Sequence, residues 1–368
     1  MEKNYKGFYT SRPFWAGEKP SFSILESPIH YTWISEDKLS FSILNRSEHF
    51  SKIMEEDIFK YESELYQLKI CKDGMILFRN EELEQDVKNE YKKCEGKQID
   101  IKQHVNWWST YLDYLNCIYL LLESATLSIK RHAWFEISEI TNKDVFQISF
   151  KDGKFSGCTV PELSIVSKFI TGRNLSDYDS DFSRALKFDQ RLSWRLEIQN
   201  DVFELLNDNF GKIFPHYDHI RTLSNLLKSL AEYKIGNYSV SFILAWFIIE
   251  SHFSQSWRSF LNDKNCEIEA GEKRINRKRM DIFKGRDYTI SVILSMLELS
   301  DKISITDYNQ VEKLRKIRNA IVHENAECSN DACINAFEFI RSLIKNAMGL
   351  DLMLSTGYSI SGLLEPQD

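Results

Sequence analysis

Leu65-Tyr66-Gln67-Leu68-Lys69-Ile70-Cys71-Lys72-Asp73-Gly74-Met75-Ile76-Leu77-Phe78 carries an alternating apolar run, an Asp-Gly turn and a second apolar run. That order predicts a β-hairpin, because a period of two puts one face of each strand inward and Asp-Gly supplies the tight reversal. The same Lys-Asp-Gly turn recurs at Lys151-Asp152-Gly153, between Val145-Phe146-Gln147-Ile148-Ser149-Phe150 and Lys154-Phe155, and predicts a second hairpin. Between the two, Val105 to Leu127 places Trp108, Tyr111, Leu112, Leu115, Ile118, Tyr119 and Leu122 on a stripe of period 3.6, the pattern of one long helix. Strands on both sides of a helix make the N-terminal region α+β. Trp107, Trp108 and the other N-terminal aromatics are expected in its core rather than on a base-stacking surface.

Strand signals fade from about Arg184, and Phe214-Pro215 marks a break, since proline disfavours helix through the residue before it. We therefore expect an α+β domain over residues 1–212, an all-α domain over 213–355 and a loose tail over 356–368. The predicted helices of the second domain run from His219 to Tyr233, Tyr238 to Leu261, Tyr288 to Leu297, Asp307 to Val322 and Asp331 to Met348. Gly236-Asn237 and Ser329-Asn330 stand where breaks and caps are needed.

Composition narrows the classes. The 368 residues carry a net charge of -7, with 43% hydrophobic and 27% charged residues, which fits a folded chain and not a disordered or collagen-like one. Only 14 Gly and 6 Pro accompany 24 Phe, 16 Tyr and 8 Trp, so long elements packed on aromatic cores are expected. The most apolar run, Val240 to Ile249, stops at Glu250, well short of the roughly 20 residues a membrane helix needs, and Met1 to Tyr5 has no apolar core of a leader. The seven cysteines include no C-x-x-C pair, so neither a disulfide framework nor a zinc ribbon is expected, and a reducing cytoplasm is. His216 and His219 are close but lack enough further ligands for a metal site. Walker A, G-x-G-x-x-G, G-x-S-x-G and H-E-x-x-H motifs do not occur.

The informative segment is Val311-Glu312-Lys313-Leu314-Arg315-Lys316-Ile317-Arg318-Asn319-Ala320-Ile321-Val322-His323-Glu324. Arg318 and His323 enclose four residues, and Asn319 follows the arginine directly. This resembles the R-x(4–6)-H motif of the HEPN superfamily, late in an all-helical bundle, with Asn319 as the polar residue after the arginine. Ala245 to Phe253 is similar to the early HEPN helix whose apolar face an acidic residue interrupts, here Glu250. The resemblance covers roughly Ile220 to Leu350, so the fold expected is an α+β domain followed by a HEPN helical bundle.

The resemblance implies a metal-independent endoribonuclease that needs no cofactor. His323 would serve as acid/base, Arg318 would bind the scissile phosphate, Asn319 would orient a neighbour, and Glu250 would complete the catalytic set. These residue types suit the chemistry: an imidazole can move the proton of a ribose 2′-OH, and a guanidinium can hold charge growing on phosphoryl oxygens. Five residues at about 100° each leave Arg318 and His323 about 140° apart on an ideal helix. The family's answer is a homodimer with a composite active site. Lys273, Arg274, Arg277, Lys278 and Arg279 form a basic reversal in an acidic chain, suited to an RNA backbone. The two-part layout resembles abortive-infection and toxin effectors, in which the first domain answers to a trigger or inhibitor protein. A second reading keeps the dimer but makes it a non-catalytic module that binds a ligand or partner; neither reading involves a membrane.

Overall fold

The computed structural model describes residues 2–12, 14–18, 21–24, 31–34, 57–72, 74–94, 101–131, 133–152, 154–159, 196–268 and 272–357. Contacts divide the chain into one unit of residues 1–227 with 352–368 and a second of residues 228–351. An antiparallel sheet region is followed by a mostly helical part, as the α+β-then-helical expectation has it.

The first unit is built on strands β1 (Glu2–Phe8), β2 (Phe14–Ala16), β3 (Ser21–Ile24), β4 (Tyr31–Ile34), β5 (Asp57–Glu62), β6 (Tyr66–Cys71), β7 (Ile76–Asn80), β8 (Phe146–Lys151), β9 (Lys154–Thr159) and β10 (Leu196–Ile198). Six of them form one sheet in the order β5-β6-β7-β1-β8-β9. Both expected hairpins are present, β6 with β7 (Ile70↔Ile76) and β8 with β9 (Lys151↔Lys154). The N-terminal strand β1 joins them, pairing Lys6 with Phe78 on one side and Gly7 with Phe146 on the other. Gly7 allows this close approach, because a Cβ there would run into the Phe146 ring and the Leu77 side chain. Gly74 takes φ +82° in the first hairpin turn, a conformation that glycine adopts without steric cost.

One face of the sheet presents Phe8, Leu68 and Phe78 and is covered by α2 (Ile101–Lys130), longer than the sequence suggested. Phe78 stacks on Tyr114 at 5.1 Å, and the Tyr111 hydroxyl accepts from the Asn80 N–H at 3.1 Å. Tyr5, Leu77, Phe146, Ile148 and Phe150 form a buried cluster with Cys71 and Met75. Buried Asn116 on α2 clamps the chain before β8: its Nδ2 donates to the Ile140 carbonyl at 3.0 Å and its Oδ1 accepts from the Ile140 N–H at 2.8 Å. Two helices of the first unit were not anticipated, α1 (Glu81–Cys94) and α3 (Asn200–Ile213). α3 presents Phe203 and Phe210 to Phe59, at 5.4 and 6.5 Å. Residues 352–355, expected in the helical domain, group with the first unit, where the Met353 N–H donates to Ser124 Oγ at 2.8 Å.

The helix α4 (Tyr217–Lys234) runs out of the first unit and into the second. There α5 (Tyr238–Lys264) is the central element, and it buries Phe242, Trp246, Ile249, Phe253, Trp257 and Leu261. Around it come α6 (Arg277–Phe283), α7 (Ile290–Leu299), α8 (Ile305–Glu324) and α9 (Asn330–Met348). The caps follow the sequence: Ser304 and Ser329 accept from N–H groups in the first turns of α8 and α9, and Asn325 and Gly349 close them in the left-handed region.

Candidate functional site

All the sequence-selected residues lie in the second unit. Arg318, Asn319 and His323 sit on the last two turns of α8, which stays helical to Glu324 and closes at Asn325 with φ 54°. Val311 and Leu314 are the buried residues of this 20-residue helix, both in its middle. From Lys316 to the end of α8 at Glu324 no side chain is buried, and Val322 is 50% exposed. A helix normally buries an apolar stripe along its length, so the motif end of α8 is only lightly covered.

The two arginines of α8 contrast sharply in their pairing. Arg315 forms a two-pronged ion pair with Glu312, Nε to Oε1 and Nη2 to Oε2, both at 2.8 Å. That pairing holds the Glu312 carboxyl below its ordinary pKa. Arg318 is half-buried and makes one hydrogen bond, from Nη1 to Asn319 Oδ1 at 3.1 Å. Its Nε is enclosed and has no partner, and among the described residues no carboxylate pairs with it. A guanidinium has five N–H donors; with one given to Asn319 and Nε enclosed, three remain for an oxyanion such as a phosphate.

His323 is exposed in the final turn, and among the described residues nothing links it to Arg318. The continuous helix keeps the two on different faces, about 140° apart by helix geometry. Glu250 lies on α5, where its Oε2 accepts from Trp246 Nε1 at 2.8 Å, a bond within one helical turn. Among the described residues Glu250 forms no ion pair with Arg318 or His323. The structure thus bonds Arg318 to Asn319 and, among the described residues, shows no hydrogen bond or ion pair from either of them to His323 or Glu250.

The basic segment is a built structure and not a slack loop. A bridge pairs Glu267 with Lys273, the Arg274 N–H donates to the Cys266 carbonyl at 2.9 Å, and Asn265 Oδ1 accepts from the N–H of buried Ile275 at 2.8 Å. Asn276 then caps α6 by accepting from the Arg279 N–H. Trp257 of α5 holds the far end, with Nε1 donating to the Phe283 carbonyl at 3.0 Å and its ring stacked on Phe260 and Tyr288. Arg279 is exposed and folds back along the segment, Nη1 donating to the Arg274 carbonyl and the guanidinium lying over Phe283. Lys273, Arg274, Arg277 and Lys278 are exposed, and none has an ion-pair partner among the described residues.

In the first unit, Trp107 and Trp108 are half-buried, not core residues as expected. Lys6, itself buried, places Nζ over both rings, at 4.8 and 5.5 Å. Trp107 lines a cavity of about 460 Å³ between α1 and α2, with Asp86, Glu90, Gln103, His104 and Thr110. Sequence could not reveal this cavity, because its α1 wall reads as a polar helix.

Among the described residues no group of three or more His, Cys, Asp or Glu is placed to hold a metal ion, and no helix is long and apolar enough to cross a membrane. Compared with protein-family models, with curated proteins and with solved structures, the chain matches none.

Proposed function

We propose that the second unit is a HEPN-type, metal-independent endoribonuclease working in the cytoplasm, in anti-phage defence or a toxin-type response. The observation that carries this reading is Arg318: a half-buried guanidinium, joined to Asn319 and, among the described residues, paired with no carboxylate, on the lightly covered end of α8 that also bears His323. Arg318 takes the scissile phosphate, and Asn319 fixes the plane of the guanidinium. The imidazole of a His323 accepts the proton of the ribose 2′-OH as that oxygen bonds to phosphorus. The P–O5′ bond breaks, the leaving oxygen is protonated, and the products are a 2′,3′-cyclic phosphate and a 5′-hydroxyl. The exposed cations from Lys273 to Arg279 hold the RNA backbone without reading its sequence.

The separation of Arg318 and His323 on one helix calls for a homodimer, in which His323 of one protomer faces Arg318 of the other. The unburied stretch from Lys316 to Glu324, with exposed Val322, supports a partner surface there. The same separation favours a second reading, a non-catalytic HEPN dimer that binds a ligand or regulatory protein. Overexpression in a bacterial host distinguishes them. Growth arrest by the wild-type chain that His323→Ala and Arg318→Ala each relieve, at equal protein level, supports the nuclease; arrest that both variants retain assigns the effect to binding.

A further inference from the structure

Cys328 and Cys333 stand with their sulfur atoms 3.8 Å apart, the first in the connection after α8 and the second in the first turn of α9. The surroundings hold both residues in place. The Cys328 N–H donates to Ser239 Oγ at 3.3 Å, the Cys333 thiol donates to the Tyr238 carbonyl at 3.3 Å, and the Cys333 N–H donates to the Ser329 carbonyl at 3.4 Å. Cys333 is fully buried and Cys328 is 8% exposed, so the pair has one narrow contact with solvent. Ser329-Asn330-Asp331-Ala332 is all the chain between them.

We propose that Cys328 and Cys333 are a covalent oxidation site, which hydroperoxides convert to an intramolecular disulfide and thiol reductants restore. The geometry asks little of the backbone, since side-chain rotation can close the gap between sulfurs already in contact. The roles are unequal. Cys333 is the more acidic thiol because Cys328 hydrogen-bonds to its sulfur, and a thiolate is the nucleophile toward peroxide, which enters past Cys328, the side of the pair that touches solvent. In the first step the Cys333 sulfur attacks a peroxide oxygen; an S–O bond forms, the O–O bond breaks, and one water leaves. In the second step the Cys328 sulfur attacks Cys333; the S–S bond forms, the S–O bond breaks, and the departing hydroxide leaves as water with the Cys328 proton. Two thiols lose two electrons, and one hydrogen peroxide takes them up. The site is independent of the ribonuclease reading, since neither sulfur touches Arg318, Asn319 or His323.

Trypsin provides a direct test, because residues 319–341, between Arg318 and Arg341, contain both cysteines and no internal Lys or Arg. The full chain is treated with hydrogen peroxide, denatured, alkylated, digested and weighed, with exposed Cys266 as the internal measure of oxidant delivery. The expected result is a 319–341 peptide lighter by two hydrogens that carries no alkyl group, and that takes up two alkyl groups after dithiothreitol. Cys328→Ser and Cys333→Ser should each abolish the light peptide. A 319–341 peptide that still takes two alkyl groups while Cys266 is oxidised, or one that gains oxygen without the cross-link, overturns the proposal.

Discussion

Replacing Trp257 by Ala tests how the basic segment is held. The indole is 4% exposed, stacks on Phe260 at 5.5 Å and Tyr288 at 5.7 Å, meets Phe283 edge-on at 6.4 Å, and donates to the Phe283 carbonyl at 3.0 Å. Truncating a buried tryptophan to alanine costs about 3–5 kcal/mol through lost burial and the cavity left behind. Stranding the Phe283 carbonyl adds about 1 kcal/mol. Trp257→Phe keeps most of the ring contact and loses the hydrogen bond, for about 1–2 kcal/mol. Domain stabilities are about 5–15 kcal/mol, so the alanine variant should lose a large share of the second unit's stability. Urea unfolding followed by far-ultraviolet circular dichroism reads the loss, and limited trypsinolysis after Lys273 to Lys284 reads the release of the segment. An alanine variant within about 1 kcal/mol of the wild type, or a phenylalanine variant as damaged as the alanine one, would refute the view that Trp257 pins this segment.

Asn116→Leu keeps the side-chain size but strands the Ile140 N–H and C=O, and should cost about 2–4 kcal/mol, with hydrogen–deuterium exchange speeding up over residues 133–141. If single-stranded RNA binds the basic segment, Lys278→Ala combined with Arg277→Ala should lower the slope of log affinity against log salt by about 1.4, and an unchanged slope removes the segment from the interface. His252, half-buried on α5, has its pKa lowered by burial. The unfolded chain therefore binds the proton more readily than the folded one, and stability present above pH about 6.5 falls as pH drops below it. Urea midpoints at pH 7.5 and 5.5 should show a smaller drop for His252→Leu than for the wild type.

The local signals in the sequence led to the right elements. The two Lys-Asp-Gly turns yielded β6-β7 and β8-β9, and the aromatic stripe from Trp108 to Leu122 yielded α2. The place of β1 between the two hairpins was not legible, because nothing in Glu2 to Phe8 encodes a partner some 70 or 140 residues away. α1 escaped notice because its apolar stripe is one residue wide, Leu83, Val87, Tyr91 and Cys94 among ten polar residues. α6 was hidden inside the charge run, where Asn276 as a cap was the one available sign. At the candidate site, spacing selected Arg318, Asn319 and His323, but sequence could not reveal that Arg315 is paired with Glu312 while Arg318, among the described residues, has no carboxylate partner. That distinction arises from side-chain geometry three residues apart on one helix.

Cleavage of total RNA in the presence of EDTA, by purified wild-type protein beside Arg318→Ala and His323→Ala, tests the central claim most directly. The account predicts fragments ending in 2′,3′-cyclic phosphate and 5′-hydroxyl from the wild type, none from either variant, and recovery when the two variants are mixed, because a mixed dimer carries one Arg318 facing one intact His323. Cleavage that both variants retain, or that EDTA abolishes, would contradict it.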